Sequence, residues 1–265
     1  MIAGFLRWFA TAGALCYDIA KQLSRGVRMN DAAMIKRNVD AVMERIEKAA
    51  QRSGRPADAI TLIAVSKTVD SGIVSLAYEA GVRHFGENRA QELALKRSQL
   101  DLDCTWHFIG HLQSNKARDA LAYAHLIHSV DSVSLGKEID RRALAAGVKA
   151  RVLAQVNISN EDSKSGIDVA DAERFVVELS AFPNLEILGL MTIAAPAADP
   201  EDVRPQFRAM KQAFDRIAGI NHNPNVRMEH LSMGMSHDFE VAIEEGATMV
   251  RVGTAIFGSR PPIVR

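Results

Sequence analysis

From Asp31 onward the apolar positions fall into a regular rhythm. Ile35, Val39, Val42, Met43, Ile46, Ala49 and Ala50 share one helical face, and Gly54 with Pro56 ends the pattern. Thr61 to Ser66 then forms an apolar run too continuous for a half-exposed strand, as expected of a parallel strand buried on both faces. Comparable runs recur at Val82–Phe85, Thr105–Ile109, Leu126–His128, Arg151–Val156, Leu185–Leu190, Met228–Ser232 and Met249–Val252, which makes eight.

Helical patterns separate the runs. The clearest is Val203, Phe207, Met210, Phe214 and Ile217, spaced by four, three, four and three. Others are expected over Gly72–Glu79, Asn88–Arg97, Asn115–Ala122, Val133–Ala145, Val169–Leu179 and Asp238–Glu244. Strand and helix alternating eight times imply parallel strands with right-handed crossovers. A chain of 265 residues suits a closed single-domain (β/α)8 TIM-type barrel, preceded by an N-terminal helix, better than an open doubly wound sheet. No Gly-x-Gly-x-x-Gly follows the first run, which weakens a dinucleotide-binding alternative.

Composition narrows the classes. Hydrophobic residues at 48% and charged residues at 24% exclude disorder as the main state. Lys+Arg 32 balances Asp+Glu 32, so no overall field draws in nucleic acid or anionic lipid. Cys16 and Cys104 are too few for a disulfide framework, which favours a reducing compartment and a cytoplasmic location.

The first stretch stands apart. Residues 1–28 hold Arg7, Lys21, Arg25 and Arg28 against Asp18, a charge of +3, around an apolar run from Ile2 to Tyr17. Arg7 interrupts the centre that a signal peptide needs, and the run is short for a membrane span. Met29-Asn30-Asp31 already reads as a sensible beginning, so 1–28 is expected to be an extension and 29–265 the barrel, with no stable membrane association.

A barrel of this type places its chemistry where strands end. The polar residues there are Lys67 after the first run and Asn88 after the second. His107, His111, Lys116, His128 and Asp131 follow the third and fourth, and Lys164 follows the fifth. Ser236 follows the seventh run, and the eighth ends Arg251-Val252-Gly253-Thr254. A lysine closing a buried apolar run is expected to be poorly hydrated, which lowers its pKa and lets the neutral amine attack a carbonyl. Gly253 and Thr254 offer backbone N–H groups, and Ser236 is expected to begin the next-to-last helix. Loops after the last two strands are where barrels commonly bind phosphate. Together these suggest a phosphorylated aldehyde. His107 and His111 lie across a strand end and turn, which argues against paired zinc ligation, and no metal is expected. His128 with Asp131 is a candidate rim pair, and Lys116 and Lys164 a second basic locus, although a solvated surface is the preferred reading of those two.

Leu62-Ile-Ala-Val-Ser-Lys67-Thr, His84-Phe-Gly-Glu-Asn88, Trp106-His-Phe-Ile-Gly-His-Leu-Gln-Ser-Asn-Lys116, Asn157-Ile-Ser with Lys164-Ser-Gly166, Gly189-Leu-Met-Thr, and Leu231-Ser-Met-Gly-Met-Ser236 through Arg251-Val-Gly-Thr-Ala-Ile-Phe-Gly258 together resemble the pyridoxal phosphate homeostasis protein family. The resemblance runs from about Asp31 to Ser259 and leaves out residues 1–28. It implies the barrel of alanine racemase's N-terminal domain, with pyridoxal 5′-phosphate (PLP) held as an imine on Lys67. It further implies that Arg251 faces the pyridine nitrogen and that Ser236, Gly253 and Thr254 hold the phosphate, with Asn88 near the ring. The implied role is PLP and amino-acid homeostasis, without an established reaction.

Arginine stays protonated, so opposite the ring nitrogen it donates a hydrogen bond and leaves the pyridine a weak electron sink. A racemase of that type adds a C-terminal β domain and a tyrosine base, whereas Tyr17, Tyr78 and Tyr123 follow no strand. The expectation is therefore a monomeric PLP carrier that serves apo PLP-dependent enzymes, with no catalytic residue. A weak racemase-like enzyme and a lysine-imine aldolase are the alternatives.

Overall fold

The computed structural model describes residues 29–159, 165–220 and 223–259. The extension 1–28, and with it the proposed domain boundary, lies outside them, as does Lys164. A helix, α1, covers 29–52 and buries Ile35, Val39, Val42, Ile46, Ala49 and Ala50. Nine parallel strands follow, interleaved with eight helices among the described residues: β1 Thr61–Val65, α2 Ser71–Glu79, β2 His84–Glu87, α3 Ala90–Gln99, β3 Thr105–Phe108, α4 Ala117–Tyr123, β4 Leu126–Val130, α5 Val133–Ala146, β5 Ala150–Asn157, β6 Ile167–Asp168, α6 Ala172–Ser180, β7 Leu185–Thr192, α7 Arg204–Ala218, β8 Val226–Met235, α8 Phe239–Glu244, β9 Met249–Val252 and α9 Thr254–Phe257. All eight expected strands form. The two-residue β6, which only extends the edge of β5, and the single-turn α9 carry too little periodicity to announce themselves.

The strands run β4-β3-β2-β1-β9-β8-β7-β5, and β4 also pairs with β5, so the sheet closes into an eight-stranded barrel. The continuous apolar runs are explained by burial on both faces. Ile63, Leu126, Leu153, Leu188, Met191 and Met249 pack inside the barrel, while alternate residues such as Leu62, Phe85, Trp106, Ile127 and Val250 meet the helices. Among the described residues no helix is long and apolar enough to cross a membrane.

Candidate functional site

The Lys67 turn is held from behind. Lys67 and Thr68 form a tight turn after β1, closed by the Val69 N–H donating to the Ser66 carbonyl at 2.9 Å. Thr68 has φ +59, the left-handed region, and is the only such non-glycine among the described residues. The Glu92 carboxylate of α3 accepts the Thr68 N–H, which pins the strained residue. Lys67 itself is exposed at the rim, so the expected burial of its ammonium does not occur. Among the described residues the buried lysine is Lys96, whose Nζ donates to the Ser66 carbonyl at 2.6 Å, to Glu87 Oε1 at 2.6 Å and to Glu92 at 2.9 Å. The physical reason is placement: the turn lifts Lys67 out of the strand, whereas Lys96 projects from α3 against the outer wall of β1 and β2.

β1 is the central partner of the site, pairing with β2 on one side and β9 on the other. Val65 opposes Gly86, so Lys67 and Asn88 follow at equivalent positions on adjacent strands. Asn88 is half-buried, and the loop after β3 presses against it: a Cβ on Gly110 would lie 2.2 Å from the Asn88 carbonyl oxygen.

On the other flank, Arg251 is buried within the barrel. It donates to Ser232 Oγ at 2.6 Å and to the Thr192 carbonyl at 2.7 Å. Burial pushes its pKa down to about 10, opposed by the charge of Asp238, so the guanidinium stays protonated at neutral pH. Ser236 does not begin a helix as expected, because α8 starts at Phe239. It sits in the turn after β8, closed by the Met235 N–H donating to Asp238 Oδ1 at 2.6 Å. Close packing of α8 requires glycine before the turn, since a Cβ on Gly234 would lie 2.6 Å from the Ala242 side chain. From the turn, Ser236 Oγ reaches α9 and accepts the Gly253 N–H at 3.1 Å and the Ala255 N–H at 3.4 Å. Ser236, Gly253 and Thr254 are thus brought together at the start of α9.

The rim pairing of His128 with Asp131 is not formed. His128 lies inside the barrel, 2.9 Å from His107 and 3.0 Å from Ser232 Oγ, whereas Asp131 pairs with His111 at 3.3 Å. Strand alternation is the reason, since His128 takes an inward position of β4 and Asp131 lies beyond the strand. His107 and His111 consequently have separate partners, and Lys116 is half-buried at the end of a short turn before α4.

Sequence pattern does not mark the buried polar groups as sets. Lys96, Glu87 and Glu92 look like ordinary helix and strand charges there, although the (i, i+4) spacing of Glu92 and Lys96 was visible. His84, His107, His128, Ser232 and Arg251 occupy inward-facing positions on five strands; alternation marks each as inward, and the stagger of the closed sheet brings them into line.

The sequence profile of the alanine racemase N-terminal domain family matches residues 37–261. A pyridoxal phosphate homeostasis protein of Aquifex aeolicus is 44% identical over 83% of this chain and 95% of its own. A crystal structure from Bifidobacterium adolescentis superposes with a TM-score of 0.80 at 40% identity, over 86% of this chain and 96% of that one. PipY of Synechococcus elongatus, solved with PLP bound, gives 0.69 at 39% identity, over 82% and 100%. Extent and identity together make this chain a member of the pyridoxal phosphate homeostasis protein family, built on the alanine racemase N-terminal barrel.

Proposed function

We propose that this protein binds PLP at the C-terminal rim of the barrel and serves cytoplasmic PLP and amino-acid homeostasis as a carrier rather than a catalyst. The observation that carries this reading is the convergence of a solvent-reachable lysine, a buried arginine and a hydroxyl-and-amide cup on the ends of β1, β8 and β9. The donor set suits the cofactor. Ser236 Oγ accepts from the Gly253 and Ala255 N–H groups and keeps its hydroxyl hydrogen to donate to a phosphate at the start of α9. Guanidinium has five N–H donors, so Arg251 keeps donors for a ring nitrogen after bonding Ser232 and Thr192. PLP when bound supplies an electrophilic aldehyde, and the Lys67 amine is the group that captures it. Asn88 would lie beside the ring, and Thr254 beside the phosphate.

PipY solved with PLP bound supports the ligand, and relatives named homeostasis proteins support the physiological role. The carrier reading draws support from the tyrosines as well: Tyr78 and Tyr123 lie on the outer helices α2 and α4, away from the rim. Arg251, protonated and bonded to neutral partners, donates to the ring nitrogen without giving it a proton. We expect a monomer that yields PLP to apo-enzymes, which size-exclusion chromatography and transfer to an apo-enzyme would check.

Borohydride reduction with peptide mapping should place pyridoxyl on Lys67, and Lys67→Ala should fold normally and lose the adduct. Label on another lysine, such as Lys116 or Lys164, would overturn the assignment. Incubation of the loaded protein with L-alanine in deuterated water should give no Lys67-dependent α-deuteration or D-alanine. Rapid exchange would instead establish a racemase-like enzyme.

A further inference from the structure

A line of side-chain hydrogen bonds climbs through the inside of the barrel. His84 Nδ1 lies 3.0 Å from His107 Nε2, His107 Nδ1 lies 2.9 Å from His128 Nε2, and His128 Nδ1 lies 3.0 Å from Ser232 Oγ, which accepts from Arg251 at 2.6 Å. His84 opposes Thr105 and His107 opposes Leu126, so each histidine sits two residues higher than the one before. Ser232 opposes Met249, and Arg251 is again two residues higher. The lower end opens into a cavity of about 290 Å³ at the strand starts, lined by His84 and His107 among others.

We propose that this chain is a two-state hydrogen-bond relay that couples protonation of His84 at the lower mouth to Arg251 at the cofactor site. It rests on the PLP reading only for what Arg251 touches. A neutral imidazole has one donor and one acceptor nitrogen, so His107 and His128 must both point the same way. With His84 neutral, the fixed charge of Arg251 favours hydrogens displaced away from it. Ser232, accepting from guanidinium, is also a stronger donor to His128 Nδ1. Both rings then carry their proton on Nε2. A doubly protonated His84 presents N–H on Nδ1 and forces the opposite arrangement. The chain gains one proton, at His84, and His107 and His128 each keep one, moved from Nε2 to Nδ1. Ser232 keeps its hydrogen but turns it out of the chain and accepts from both His128 and Arg251, which loosens its hold on Arg251.

The groups facing His84 make it the responsive end. Its neighbours around the lower cavity are His107, His125, His230, Arg151, Arg227 and Glu229. Burial holds His107 and His128 well below the ordinary imidazole range, so they stay neutral and change only tautomer. His84 is half-exposed and its own pKa is lowered first by burial and then by His125 and His230. Linkage makes the coupling reciprocal: a ring nitrogen that accepts from the remaining donors of Arg251 weakens the guanidinium's bond to Ser232, which must raise the pKa of His84.

Nitrogen-15 NMR of histidine-labelled full-length protein, without PLP, tests the relay. As pH falls through the titration of His84, the protonated nitrogen of His107 and of His128 should switch together from Nε2 to Nδ1. In His84→Gln, a substitution at a half-exposed position, that switch should be lost. Tautomers that stay fixed through the titration, or that switch unchanged in His84→Gln, would overturn the proposal. Loading with PLP should move the His84 titration to higher pH. A borohydride-trapped adduct with no movement of the His84 titration would overturn the coupling, whereas failure to trap any adduct would overturn the PLP reading and leave the tautomer result standing.

Discussion

The ammonium of Lys96 lies 2.6 Å from Glu87 Oε1, and the two side chains, at 4% and 0% exposure, are sealed between α3 and the barrel wall. Glu87 Oε1 also accepts from Ser66 Oγ at 2.6 Å, while Glu87 Oε2 has no partner among the described residues. Burial raises the Glu87 pKa even against the charge of Lys96. Breaking such a pair from one side leaves a buried charge uncompensated, so Lys96→Met should cost about 3–5 kcal/mol in denaturant unfolding. A double replacement of Lys96 and Glu87 by apolar residues should recover much of that loss. Because Lys96 and Glu92 hold the Ser66–Val69 turn, Lys96→Met should also slow capture of PLP by Lys67. An unchanged trapping rate in a folded variant would separate the network from the site.

Gly110 sets the seat of Asn88. A methyl group there would overlap the Asn88 carbonyl oxygen, Cα and carbonyl carbon, at 2.2, 2.6 and 2.8 Å, and backbone cannot swing aside as a side chain does. Gly110→Ala should therefore destabilise by about 1–3 kcal/mol and weaken retention of PLP. Thermal unfolding and cofactor release, measured together, check both parts. A neutral substitution would show that the loop after β3 is free to shift.

Ser236→Ala removes a hydroxyl from the cup at α9. A hydrogen bond to a charged partner is worth about 1.5–3 kcal/mol, so PLP affinity should fall roughly 10- to 150-fold. Pyridoxal, which lacks the phosphate, should bind unchanged. Equal weakening of both ligands would put Ser236 away from the phosphate.

His107 and His128 predict a pH dependence of stability. Both are held neutral in the fold, whereas in the unfolded chain they take a proton near pH 6.5. The unfolded state then binds more protons, so stability is full above pH 6.5 and declines as pH falls, by up to about 1.4 kcal/mol per pH unit for each histidine. Denaturant midpoints between pH 7.5 and 5.5 should decline less steeply in His107→Gln and in His128→Gln than in the parent. Parallel slopes would show that other groups dominate the acid response.

The periodicity of the chain was enough for the barrel. A strand buried on both faces must be apolar at successive positions, and a helix laid over it must be apolar at intervals of three and four. Both demands act between near neighbours, so all eight strands, α7 and the seams between elements were legible. The positions of Lys67, Asn88 and Gly253 just past strand ends were legible as well, because strand boundaries follow from the same pattern. Burial of individual polar side chains was not. Lys67 and Lys96 are the same residue type, yet a two-residue turn puts one in solvent and a packed helix seals the other in. From sequence Ser236 reads as a helix start because it follows a strand, yet the helix begins at Phe239. Only the closure of β9 onto β8 showed its hydroxyl meeting the amides of another helix. The histidine line depends on the stagger of five strands, a quantity fixed by hydrogen-bond register across the closed sheet. Local pattern dictates which residues face inward, but only closure of the barrel decides which inward residues touch.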